Sequence, residues 1–189
     1  NTNQLRNIKF GVHARIDNQF TFNAYVNFAK QKNALFYANR FTAFQPVTFI
    51  PVYTAASLTA VHAELGFENS TKLNVWLKAD YLGYSKFDTS TIKSWHVSPF
   101  MFTLALNYNL SDKIMVKTDV FIRSESERIK YDAGGAFAGA EKIKPWADVN
   151  LSASYRYSKV LSFYVNLNNV AFVRYQQWYN YPAYRFNAM

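Results

Sequence analysis

The chain has 189 residues, of which 21 are Lys or Arg and 12 Asp or Glu, for a net charge of +9; half are hydrophobic, 19% are aromatic and none is cysteine. That excludes disulfides, thiolate metal sites and cysteine nucleophiles, and no apolar run approaches the ~18 residues of a transmembrane helix. The basic balance does not point to nucleic acid, because Lys and Arg are spread along the chain and no nucleic-acid motif is present.

The chain opens on Asn1-Thr2-Asn3-Gln4, which lacks the charged and apolar regions of a signal peptide; the expectation is a mature terminus or the interior of a longer protein. Alternation with a period of two then begins and defines strands. The first, Ile8 to Ile16, sets Ile8, Phe10, Val12, Ala14 and Ile16 against Lys9, Gly11, His13 and Arg15, and Asp17-Asn18-Gln19 turns it. The second sets Phe20, Phe22, Ala24, Val26 and Phe28 against Thr21, Asn23, Tyr25 and Asn27. A long aromatic connection follows from about Lys30 to Ser57, with Val47-Thr48-Phe49-Ile50 as a segment that extends the strands.

The third strand, about Leu58 to Phe67, carries His62 and Glu64 on its polar side and turns at Asn69-Ser70-Thr71-Lys72 into the fourth, which carries Trp76, Lys78 and Asp80. A loop from about Ser85 to Ser98 leads to the fifth, Phe100 to Tyr108. Ser111-Asp112 turns that strand into the sixth, where Ile114, Val116, Thr118, Val120 and Ile122 oppose Lys117, Asp119, Phe121 and Arg123. The connection from about Ser124 to Lys144 is charged and holds Ala133-Gly134-Gly135-Ala136, so it is expected to be a long mobile loop. The seventh and eighth strands, Val149 to Arg156 and Leu161 to Asn168, form a hairpin about Ser158-Lys159, and Arg185 to Met189 starts a ninth.

Short and long connections thus alternate strictly, and the strands run to about nine to eleven residues, enough to cross a bilayer when tilted. Aromatic residues near strand ends (Tyr81, Tyr84, Phe100, Tyr155, Tyr157, Phe172 and Tyr175) suit an interfacial girdle. The expected fold is all-β: an antiparallel up-and-down transmembrane β-barrel segment of about eight strands, a single domain over residues 1–189. A soluble ligand-binding barrel is the alternative, but one small barrel would be overfilled by all these apolar side chains.

On the polar side, His13, Arg15, His62, Glu64, Lys78, Asp80, Lys117, Asp119, Arg123 and Arg156 are expected to face a lumen and pair across strands; guiding an ion or ligand is the other reading. Trp76 and Phe121 on the same side would contact an inserted plug. No catalytic motif, metal-ligand spacing or cofactor motif is present among His13, His62, His96 and the carboxylates, so neither an enzyme nor a cofactor is expected.

The segments Leu161-Ser162-Phe163-Tyr164-Val165-Asn166-Leu167-Asn168-Asn169-Val170, Arg174-Tyr175-Gln176-Gln177-Trp178-Tyr179-Asn180-Tyr181-Pro182 and Arg185-Phe186-Asn187 resemble the C-terminal barrel portion of TonB-dependent receptor-like outer-membrane proteins of the Bacteroidetes type. Weaker similarity runs through His62-Ala63-Glu64-Leu65, Leu77 to Tyr81 and Leu106 to Leu110. The resemblance implies an outer-membrane transporter of a scarce small solute, with the lipid bilayer, a plug domain and the TonB energy-coupling complex as partners. Such barrels have about 22 strands, so the expectation is a C-terminal piece lacking its closing strand; a small passive eight-stranded porin or structural barrel is the alternative. The same resemblance places Phe36, Tyr37, Phe41, Phe44, Trp95, Tyr175, Trp178, Tyr179 and Tyr181 in extracellular loops as candidate solute contacts, against a role in loop packing.

Overall fold

The computed structural model describes residues 4–41, 48–69, 72–88 and 92–189. Phe44, Val47, Ser70 and Thr71 fall outside the described residues. The strands are β1 (Gln4–Ile16), β2 (Phe20–Asn39), β3 (Phe49–Asn69), β4 (Leu73–Ser85), β5 (Phe100–Ser111), β6 (Ile114–Arg123), β7 (Ser126–Tyr131), β8 (Phe137–Ile143), β9 (Trp146–Arg156), β10 (Ser162–Asn168), β11 (Gln176–Trp178), β12 (Tyr181–Pro182) and β13 (Asn187–Ala188). Nine of them form one antiparallel sheet in the order β1-β2-β3-β4-β5-β6-β9-β10-β13, while β7-β8 and β11-β12 are separate two-stranded hairpins. The large sheet is open: β1 and β13 are its edges.

The register explains why two chemically different faces result. One row across the sheet reads Ala14, Phe22, Leu65, Leu77, Leu104, Val120 and Val149. The row beside it reads His13, Asn23, Glu64, Lys78, Thr103, Phe121 and Asp148. Because side chains alternate in direction, a slip of one residue in any strand would exchange the two rows, so the pattern pins the register. Phe10 and Phe100 on the apolar face are 67% and 60% exposed, which shows that this face has no core of its own to cover it.

Turns at residues 17–19 and 112–113 and the bend at 157–161 lie on one rim with the end of β3 and the start of β4, and the longer connections lie on the other. Asp17 and Asn18 adopt φ of 51° and 54°, the left-handed conformation that a tight primed turn needs and that Asn and Asp tolerate best. Aromatic pairs mark both rims, with Phe20 against Phe67 and Tyr155 against Tyr157 at the short turns and Tyr81 against Phe100 at the other end.

Three regions differ from the expectation. First, β2 and β3 are 20 and 21 residues long, pairing through Asn39 and Phe49, so most of the expected aromatic connection is strand. A bulge between Gln31 and Ala34 interrupts that pairing. One extra residue reverses the alternation: Phe22 and Phe28 are exposed below it, whereas Ala34, Phe36 and Ala38 are buried above it. Second, the expected mobile loop after β6 is the β7-β8 hairpin. Its glycines serve a defined turn, in which the Asp132 carboxylate accepts hydrogen bonds from the backbone N–H of Gly134 and Ala136, and Gly135, at φ 83°, lies under the Phe41 ring where a Cβ would not fit. Third, the β10–β13 connection carries the small β11-β12 hairpin.

Candidate functional site

Two groups of residues are candidates, a charged strip on the polar face and an aromatic cluster at the rim of long connections. In the strip, the His62 ring packs on Tyr25 at 4.8 Å, and its Nδ1 lies 2.7 Å from Asp80 Oδ1. Glu64 takes part from β3, 3.6 Å from His62 and 3.5 Å from Lys78 Nζ. Lys9 Nζ caps the assembly, 3.5 Å above the Tyr25 ring. Four of the ten predicted charges are thereby brought together across β3 and β4.

The expected cross-strand pairing does not extend to the other six. Arg15 donates to the Asn18 carbonyl and Arg156 to the Asp112 carbonyl, both at turns. His13 faces Asn23, Lys117 faces Asn107 and Ser152, Asp119 faces Ala105 and Asn150, and Arg123 faces Met101 and Trp146. With only neutral neighbours in register, these charges have no ion pairs among the described residues. Trp76 lies over Gly66, where an added Cβ would also meet the Thr21 hydroxyl.

At the rim, the only hydrophobic core among the described residues forms where β2 and β3 project past the sheet. Ala34, Phe36 and Ala56 are buried and covered by Tyr84, Phe87 and Val97, with the Phe36 ring edge-on to Tyr84 at 5.0 Å. Asp88 ties this connection to β3 by accepting from Ala55 N–H at 2.8 Å. Above it, Trp178 gathers the long connections: its ring stacks on His96 at 5.2 Å and meets Phe49 at 5.3 Å and Tyr37 at 5.8 Å. Tyr181 joins through Phe49, and Trp95, next to His96 in the chain, is fully buried.

His96 is held at φ 61°, with its N–H on the Glu127 carbonyl and its Nδ1 2.9 Å from the Tyr37 carbonyl. A carbonyl only accepts, so Nδ1 carries the proton, and Nε2 is buried without a hydrogen-bond partner among the described residues. Burial, aided by the nearby Arg128 charge, pushes the imidazole pKa below its ordinary value despite the opposing Tyr37 bond. The ring is therefore neutral at physiological pH.

The remaining loop candidates also contact neighbouring connections. Tyr175 stacks flat on Trp146 at 4.2 Å and donates its hydroxyl to Asp148 at 2.8 Å; burial first and the Asp148 carboxylate second push its pKa up to about 12. Tyr175 and Tyr84 are thus on the polar-face side, not in a girdle on the apolar face. Tyr179 carries the Arg128 guanidinium 3.5 Å above its ring, and Phe41 packs against Tyr131. The candidate Phe44 is outside the described residues.

No family model and no curated protein matches this chain. Solved structures do. The ferripyoverdine receptor of the outer membrane of Pseudomonas aeruginosa superimposes with a TM-score of 0.73 at 17% identity, over 96% of this chain and 26% of the receptor. The fold is that of the barrel wall of such receptors. The ferric-catecholate import receptor Fiu of E. coli K12 matches the barrel-wall fold with a TM-score of 0.68 at 14% identity, over 97% of this chain and 25% of that one. The copper transporter OprC gives 0.64 at 13% identity, over 89% and 25%. The chain therefore spans about a quarter of the length of the structures it matches.

Three asparagine and histidine positions that organise the rim of this barrel wall are not evident from alternation. The Asn39 side chain donates to the Ile129 carbonyl and accepts from Ile129 N–H, both at 2.9 Å, docking β7 on β2 as another strand would. Asn169 donates to the carbonyls of Val173 and Tyr184 and accepts from Val173 N–H, closing the last long connection. Its only sequence signal is its place at the end of the Asn-rich strand β10. His96, the third, has no local signal at all.

Proposed function

We propose that this chain is part of the barrel wall of a TonB-dependent receptor-like transporter that takes up a scarce solute across the bacterial outer membrane. One observation carries the reading. The long connections fold over the polar face, where Tyr175 reaches Asp148 and Trp146 and Phe87 reaches Phe36, and they leave the apolar rows bare. A soluble barrel or sandwich would do the opposite, since a contiguous exposed apolar face of this extent exceeds the few hundred Å² that soluble monomers tolerate. With lipid on the apolar side, the covered polar face becomes a lumen.

An open edge in hydrocarbon leaves backbone groups unsatisfied. The unpaired edges of β1 and β13, with coverage of about a quarter of the receptors, therefore support a larger barrel to which this segment contributes one continuous stretch of wall. In that reading the charged strip around His62 faces a plug, the energy-coupling complex acts on the plug and not on these residues, and the long-connection rim is extracellular. The resemblance to Bacteroidetes-type receptors belongs to the same proposal.

The test is the native protein in purified outer membranes, detected with an antibody to the Arg174–Arg185 segment. The expected result is a membrane band several times larger than 21.9 kDa. A membrane band near that mass would favour a small passive barrel, and recovery in the soluble fraction would overturn both.

A further inference from the structure

Between the β7-β8 hairpin and the connection carrying β11-β12 lies a cavity of about 730 Å³. That size is within the range of small-molecule sites, roughly 300–1,000 Å³. Its walls are strongly one-sided in charge: Arg128, Lys142, Lys144, Arg174 and Arg185 line it, against the single carboxylate of Glu141. Two of these cations are already neutralised, Arg128 by Glu141 and Lys142 by Glu125. Lys144, Arg174 and Arg185 have no ion-pair partner among the described residues.

Like charges gathered around one cavity repel one another, and their repulsion is relieved only by screening or by a bound anion. The cavity is also partly built in advance. Arg128 is fixed between Glu141 and the face of Tyr179, and Tyr175 is locked on Trp146 and Asp148, so a ligand would meet rigid aromatic walls and would have to order only the exposed side chains. Planar guanidinium groups favour bidentate contacts with carboxylate or phosphate oxygens.

We infer that this cavity binds a compact solute bearing two or more carboxylate or phosphate groups, held by Arg174, Arg185 and Lys144 between Tyr175 and Tyr179. Bound there, the anion would bridge two connections that otherwise share few contacts. The binding stands on the cavity; its role in capturing solute for uptake rests on the transporter reading. The same oxygen chemistry is offered by a free solute and by the phosphates of an outer-leaflet lipopolysaccharide.

The experiment is calorimetric titration of the full-length protein, in detergent and at low salt, with citrate and with tripolyphosphate, using a neutral maltooligosaccharide for comparison. Saturable binding of at least one polyanion is expected, weakened tenfold or more by the paired substitution Arg174→Gln and Arg185→Gln and unaffected by Lys159→Gln at the opposite rim. Retention of the folded, heat-modifiable gel mobility checks each variant. No polyanion binding, equal affinity in the paired variant, or equal affinity for the neutral sugar would overturn the inference. Lipid A that co-purifies with the wild type, is lost from the paired variant and blocks titration until removed would support the site and assign the anion to lipid; binding without it assigns a free solute. Failure of binding in a protein that still fractionates with outer membranes sinks this inference alone, whereas binding by a protein found outside them sinks the transporter reading alone.

Discussion

The middle of the sheet and the rim of long connections solve opposite problems. In the middle, backbone pairing is continuous along the ladder and the side chains of two rows differ in polarity, but no hydrophobic core cluster forms there among the described residues. At the rim, the backbone is irregular, and buried side chains supply what a ladder would: Asn39 and Asn169 act as strand or turn partners, and Phe36 and Trp178 supply the packing. On the proposed transporter reading, the middle would draw its stability from an apolar environment outside the protein, whereas the rim draws it from within. Substitutions should therefore divide by region.

The largest effect is expected at the rim core. Phe36→Ala removes a buried ring against Tyr84 and Phe87, and Phe→Ala in a core costs about 3–5 kcal/mol. Urea unfolding of the full-length protein in lipid vesicles should show that loss as faster hydrogen exchange confined to the connections, while the sheet amides stay protected. Equal loosening of both regions would mean that rim and sheet unfold as one unit.

Next in size is Leu104→Arg in the apolar row. A basic residue facing lipid near the midplane of a barrel costs about 2–4 kcal/mol. The matched change Ser152→Arg, on the polar row beside Lys117, should assemble into membranes almost normally. If Ser152→Arg were the more damaging of the two, the assignment of faces would be reversed.

Asn169→Ala tests the substitution of side chain for ladder. It strips partners from Val173 N–H and from the carbonyls of Val173 and Tyr184, part-buried hydrogen bonds with a net worth of about 0.5–1.5 kcal/mol each. Exchange should accelerate at Val173 with no change at Leu151 or Leu167. Unchanged exchange at Val173 would show that water replaces the side chain there.

Where the environment is uniform along a strand, alternation carries the information. The range Ile114–Arg123 was readable from sequence because one row faces each way throughout, and the alternation of short and long connections followed from it. The rim was only partly legible. The continuation of β2 beyond Lys30 is hidden by a bulge that reverses the period, and the β7-β8 hairpin by glycines that read as a loose loop but sit in an Asp132-capped turn. The aromatic richness of the connections was visible, and Tyr37, Trp178 and Tyr181 do converge. Their meeting point on His96 and Phe49 depends on contacts between connections far apart in sequence, which no local pattern encodes. The charged strip was half legible for the same reason: the register puts His62 opposite Asp80 and Glu64 opposite Lys78, but it gives Lys117 and Asp119 only neutral neighbours.

The smallest expected effect separates rim from sheet by pH. His96 is neutral in the folded rim because burial and Arg128 lower its pKa below the ordinary 6.5. In an opened rim it regains that ordinary value, so the open state binds a proton first as pH falls. Rim stability is then fully present above about pH 6.5, declines as pH drops from there toward the lower folded pKa, and changes no further below it. The physical cost is a second imidazole N–H at Nε2, which is buried without a hydrogen-bond partner among the described residues, in the field of the Arg128 charge. Hydrogen exchange at His96 and Val97 should accelerate between pH 7.5 and about pH 5, with sheet amides corrected for intrinsic rates unchanged, and His96→Gln should abolish the difference. An acceleration that survives His96→Gln would rule out the imidazole as its source.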